Sequence, residues 1–87
     1  MAVPCKGFRV PRAPAPDLSL AAALKGLREQ RAITQEALAS SAGISVGTLA
    51  RIEGGRTAPS WDSVRRIIEA LGVSFAELAT ALDAERE

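Results

Sequence analysis

"TQEALASSAGISVGTLARIEGG", residues 34–55, decides how the rest of the chain reads. Thr34 carries a side-chain acceptor at the position that caps a short helix running to about Ser40, with Leu38 as its main apolar contact. Gly43 follows, where a left-handed residue ends that helix and turns the chain. Ser45 then reads as the N-cap of another helix, with Leu49 and Ile52 facing inward and Gly54 and Gly55 stopping it. Gly47 is the awkward residue, because glycine in a helix interior is unfavourable by roughly 1 kcal/mol relative to alanine. Its place two residues after the cap, in the turn whose backbone N–H groups have no helical partner, makes that cost smaller.

A connection this short is too tight for antiparallel packing and suits two helices crossing at about 90 to 120°. Ala39 falls where such helices touch, and a larger side chain there would push them apart. Counted from Gln35 as position 1, Ala39, Gly43, Leu49 and Ile52 occupy positions 5, 9, 15 and 18.

The flanks extend the helical pattern. Upstream, Asp17 is a plausible N-cap for a helix with Leu20, Leu24 and Leu27 on one stripe, ending around Arg31. Downstream, Pro59 and Ser60 open a fourth helix in which Val64, Ile67, Ile68 and Leu71 share a face, and Gly72 stops it. "SFAE" at 74–77 is a Ser-x-x-Glu capping box for a fifth, whose apolar face is Phe75, Leu78 and Leu82. With 47% hydrophobic but only 3% aromatic residues, the apolar content is mostly Ala, Leu, Ile and Val, which favours helices. No strand signal competes, and the expected class is all-α. Residues 1–16 hold four of the five prolines and no helical period, so they read as a flexible, basic N-terminal arm. The folded domain is expected at 17–83, with a charged C-terminal tail at 84–87.

Charge is unevenly spread behind a net value of +1. Residues 1–17 carry Lys6, Arg9 and Arg12 against Asp17. Residues 18–56 carry Lys25, Arg28, Arg31, Arg51 and Arg56 against Glu29, Glu36 and Glu53. The remainder is acidic, with Arg65, Arg66 and Arg86 against Asp62, Glu69, Glu77, Asp83, Glu85 and Glu87. A basic first two-thirds and an acidic last third leave one end able to face a polyanion.

Several function classes drop out on composition. A single cysteine, Cys5, allows no intramolecular disulfide, and without histidine the usual four-ligand zinc site cannot be assembled. No histidine, no tyrosine and no Gly-rich phosphate loop after a strand leave no nucleophile and base pair of the common kinds, so an enzyme is not expected, nor any cofactor or metal. A redox-sensing role for Cys5 is the poorer reading of a lone terminal thiol. No apolar run approaches the roughly 20 residues that span a bilayer. Pro4, Pro11, Pro14 and Pro16 interrupt any signal-peptide core, so the chain is expected to be cytoplasmic.

Taken together, residues 34–55, the stretch "LKGLREQRAITQEALA" (24–39) that leads into them and "PSWDSVRRIIEALGVSFAEL" (59–78) after them resemble the Xre, or Cro/CI-type, phage-repressor-like helix-turn-helix regulators. The resemblance covers roughly two-thirds of the chain and all five helices, and it implies a five-helix DNA-binding domain with the helix-turn-helix at its second and third helices. In this family the third helix lies in the major groove, and dimers straddle half-sites about one helical turn apart. It implies a sequence-specific transcriptional regulator, most simply a repressor, binding double-stranded DNA at a palindromic operator as a homodimer through a recognition helix at 45–54. The homodimer is expected to form through the fourth and fifth helices.

Carried over by position, Gln35 resembles a phosphate clamp within reach of a base. Thr34, Ser45 and Thr48 resemble phosphate contacts aided by helix dipoles. Val46, Gly47 and Arg51 occupy base-reading positions, and Arg56 resembles a further phosphate contact. Arg51 can donate two hydrogen bonds to guanine, Val46 can only pack on a thymine methyl, and Gly47 offers no side chain. Arg28 and Glu53 resemble a family pair that ties the first helix to the end of the recognition helix, a structural and partly buried role.

Other residues are weighed by context. Arg31 is read as a phosphate contact over a solvated charge, and Trp61 as a core or half-core residue over an interface anchor. The basic arm is balanced between DNA contact and a solvated tail. The alternative function is an antitoxin-type DNA-binding protein that also binds a toxin partner.

Overall fold

Each helix begins at a residue able to cap it. The computed structural model describes residues 17–86, the side chain of Arg86 excepted; the basic arm with Cys5, Lys6, Arg9 and Arg12 lies outside the described residues. Five helices are present among them: α1 Leu18–Gln30, α2 Gln35–Ala42, α3 Val46–Glu53, α4 Trp61–Leu71 and α5 Phe75–Arg86. Asp17 accepts from the amides of Ser19 and Leu20, Thr34 from Ala37, Ser45 from Thr48 and Ser60 from Ser63. At α5 the box is reciprocal, Ser74 accepting from the Glu77 amide at 3.1 Å while Glu77 accepts from the Ser74 amide at 2.8 Å.

The helices end as deliberately. Gly43 takes φ 75° after α2, and the Ile44 amide bonds back to the Ala39 carbonyl at 3.0 Å. Only Gly43, Ile44 and Ser45 then separate α2 from α3. α1 instead ends with Ala32 at φ 56°, a left-handed residue that is not glycine.

Leu24, Leu38, Leu49, Ile52, Ile67 and Ile68 are sealed from solvent at the centre. Full burial of side chains of this size stabilises by about 1.5–3 kcal/mol each. α2 packs on α3 and α4, and α1 on α3 and α5, so the helix-turn-helix is held from both sides. Ala39 is buried among these side chains, in the place where bulk would separate α2 from its neighbours. No helix among the described residues is long and apolar enough to cross a membrane.

Three expectations need correction. Trp61 is not a core residue: it is 66% exposed, with its ring stacked on Phe75, itself 44% exposed, at a centroid distance of 5.1 Å. Both residues open their helices, so they project before the turn that packs on the core. The apolar face of α5 is therefore narrower than Phe75, Leu78 and Leu82 suggested, with Leu78 buried and Leu82 half-buried. Finally, α5 continues through Ala84 and Glu85 to Arg86. What was expected as a charged tail at 84–87 is thus helical up to residue 86, because nothing after Leu82 is a helix breaker.

Candidate nucleic-acid interface

α3 is anchored by its inner face. Leu49, Ile52 and Glu53 are buried, whereas Val46, Gly47, Ala50 and Arg51 are exposed. These four positions recur at three- and four-residue spacing and so share the outer face. Arg51 is the only one of them with a charged or polar side chain.

The expected partners Arg28 and Glu53 do meet. Arg28 Nε donates to Glu53 Oε2 at 2.8 Å, their side chains 11% and 2% exposed, and Arg28 Nη1 donates to the Ile33 carbonyl at 2.8 Å. The second carboxylate oxygen, Glu53 Oε1, accepts from Gln35 Nε2 at 3.0 Å. A carboxylate can only accept here, which fixes the Gln35 amide with its nitrogen toward Glu53. Hydrogen bonding to Glu53 raises the Arg28 pKa further above its ordinary value, against the opposing effect of burial. No buried side-chain polar atom among the described residues is left without a partner.

Gln35 is thus tied inward by one donor, which the phosphate-clamp expectation did not include; its second amide N–H remains available. The bond also brings the start of α2 against the end of α3. Thr34, the N-cap of α2, is exposed beside Gln35, and its hydroxyl oxygen accepts from the Ala37 amide at 3.1 Å.

At the other end of α3 three side chains are linked. The Ser45 hydroxyl accepts from the Thr48 amide at 3.0 Å and donates to Thr48 Oγ1 at 2.8 Å. Arg51 Nη2 donates to the same Thr48 oxygen at 3.4 Å. Arg56 is exposed in the segment after α3, its own amide bonded to the Arg51 carbonyl at 2.9 Å.

Ala50 shares the exposed face of α3, a placement that its spacing of four from Val46 already signals in the sequence. Arg31 reaches Glu77 on α5 at 3.6 Å, an exposed pair, and so has a protein partner that the phosphate reading did not anticipate.

A model of the helix-turn-helix domain family matches residues 19–82, which takes in α2, α3 and α4 whole, α1 from its second residue and α5 as far as Leu82. The chain belongs to the Xre-type helix-turn-helix family. Among solved structures, this Xre-type domain is similar to the clp gene regulator ClgR from Corynebacterium glutamicum. One ClgR structure matches at 32% identity and TM-score 0.73, with 82% of this chain and 78% of that chain covered. Another matches at 28% identity and TM-score 0.77, with 86% and 97% covered. The restriction-modification controller protein C.Esp1396I, solved as a tetramer with its natural 35 base-pair operator, aligns at 24% identity and TM-score 0.75. That alignment covers 78% of this chain and 90% of the controller, and at such identity it shows the shared fold. No match is found among curated proteins. The Xre-type chain is a DNA-binding transcriptional regulator of the helix-turn-helix class.

Proposed function

We propose that this regulator is a cytoplasmic, sequence-specific repressor that binds a palindromic operator as a homodimer and occludes a promoter. The observation that carries the reading is the outer face of α3: Val46, Gly47, Ala50 and Arg51 stand exposed on a helix fixed from behind by Leu49, Ile52 and Glu53. A face so low in bulk can enter the major groove closely, with Arg51 donating to guanine N7 and O6 and the Val46 and Ala50 methyl groups packing on thymine. Gly47 offers no side chain to a base and lets the backbone approach the groove. Thr34, Gln35, Ser45, Thr48 and Arg56 hold the flanking phosphates, the helix N-termini at Thr34 and Ser45 adding favourable dipoles.

The homodimer uses α4 and α5. Its support is the stacked Trp61 and Phe75 pair, an exposed aromatic patch at the starts of both helices. Asp62, Arg65, Arg66 and Glu69 supply charged surroundings on α4, as the rim of an interface requires.

Selection from random duplex DNA tests the function: the expected product is an inverted repeat whose half-sites lie about 10 base pairs apart. With three or four phosphates neutralised per subunit, the slope of log affinity against log salt should be about −5 to −7. A slope near zero, or no enriched sequence, refutes the reading.

A further inference from the structure

The Arg51 side chain does not extend straight out from α3. Helical side chains lean toward the N-terminus of their own helix, and here the guanidinium lies over the preceding turn. A Cβ built on Gly47 would sit 3.7 Å from Arg51 Nη1 and 4.0 Å from Ser45 Oγ. Gly47 is therefore the floor beneath the guanidinium. Thr48 is its side wall: Oγ1 accepts from Arg51 Nη2 at 3.4 Å while also accepting from the Ser45 hydroxyl at 2.8 Å. Arginine has no acceptor, so the direction of the first bond is unambiguous. With both lone pairs of Oγ1 engaged, the Thr48 O–H proton remains free to donate outward.

We propose that Gly47 and Thr48 form a seat that aims the Arg51 guanidinium at one base pair, making them positioning residues for guanine readout. The proposal rests on α3 being the recognition helix. Gly47 matters for what it leaves vacant, and Thr48 acts through Arg51 in addition to any phosphate it contacts. A long, flexible side chain held at one point along the helix reads one step of the groove; released, it samples several. Size sets the tolerance at Gly47. A lone methyl fits, since 3.7 Å is ordinary van der Waals contact, but any longer side chain occupies the space of the guanidinium.

The test is binding to duplexes that differ at the selected guanine, with the unaltered chain, Thr48→Val, Thr48→Ser, Gly47→Ala and Gly47→Gln, each also combined with Arg51→Ala. A bidentate arginine discriminates guanine by about 5- to 150-fold. Thr48→Val should cut that ratio several-fold, and Gly47→Gln should remove it. Thr48→Ser, which restores the hydroxyl, and Gly47→Ala should keep it. In the Arg51→Ala background neither Thr48→Val nor Gly47→Gln should change the preference at this base further.

If Thr48→Val weakens all duplexes equally, with the guanine ratio intact, Thr48 is a phosphate contact and the seat is wrong. Retention of the ratio in Gly47→Gln overturns it too. If Arg51→Ala itself leaves the selected sequence unchanged, the recognition-helix reading fails and the seat falls with it. Equal melting temperatures for Thr48→Val and the unaltered chain exclude misfolding as the source of a lost ratio.

Discussion

Arg28 and Glu53 join α1 to the end of α3 through a 2.8 Å charge-assisted hydrogen bond, and Gln35 closes the arrangement from α2 at 3.0 Å. Three helices thus share one buried carboxylate. Its position fixes both how far α3 projects and where the start of α2 stands beside it.

Removing one partner of a buried pair leaves the other charge without compensation, at about 3–5 kcal/mol. Glu53→Ala should lower the unfolding free energy by about 3 kcal/mol, a large part of the 5–15 kcal/mol typical of a folded domain. Glu53→Gln, which keeps the shape, should cost less. Urea unfolding monitored by circular dichroism measures both.

Trp61 and Phe75 predict a separation of stability from assembly. Trp61 is 66% exposed and stacked on Phe75 outside the sealed centre, so Trp61→Ala should cost the monomer less than about 1 kcal/mol. The same substitution should raise the dimer dissociation constant at least about tenfold, as expected when an interface anchor is truncated. Sedimentation equilibrium decides it: an unchanged constant places the dimer contact elsewhere.

This pair also marks what the sequence could convey. Cap residues acted through bonds to their own helices, so Asp17, Thr34, Ser45, Ser60 and Ser74 were legible from local spacing alone. The same holds for the inward stripes of α1 and α4, where three or four apolar residues define a face. Trp61 and Phe75 stand at helix starts, where periodicity cannot tell which way a side chain points, and hydrophobicity alone misdirected the reading inward. In the site, Arg28 and Glu53 were legible through family resemblance, while Gln35 was not assigned to the same carboxylate because its partner lies 18 residues away on another helix. The contact of Arg31 with Glu77 is hidden for the same reason.

Asp62 gives α4 a pH dependence of definite sign. A hydrogen bond from Arg65 at 2.7 Å, joined by Arg66 at 2.9 Å, holds its carboxyl below the ordinary 3.8. A group depressed on folding contributes stability above its unfolded value, and that contribution is lost as pH falls through the lower folded value. Asp62→Asn should therefore flatten the acid side of the melting-temperature profile and leave its alkaline side unchanged in shape. The effect is small for so exposed a cluster and should shrink further in high salt. Melting curves across the acid range, at low and high salt, check both statements.

Gly26 and Ala32 each occupy a position better suited to the other residue. Gly26 lies inside α1, where an added Cβ would meet nothing within 4 Å. Alanine there adds helix propensity at no steric cost, and Gly26→Ala should stabilise by about 0.5–1 kcal/mol. Ala32 closes the same helix at φ 56°, a left-handed conformation that costs an L-residue roughly 1–2 kcal/mol. Its amide bonds to the Glu29 carbonyl at 3.0 Å and the next, Ile33, to the Arg28 carbonyl at 3.3 Å, so the turn is held by backbone bonds that glycine preserves. Ala32→Gly gains the strain back and loses part of it to the larger entropy of the unfolded chain, for a net gain of about 0.5 kcal/mol. Neither position belongs to the buried core or to the outer face of α3. The double variant should therefore show roughly the sum of the two gains in chemical denaturation, with DNA affinity unchanged. A loss of stability in Ala32→Gly would mean that its methyl group makes a contact worth more than the strain.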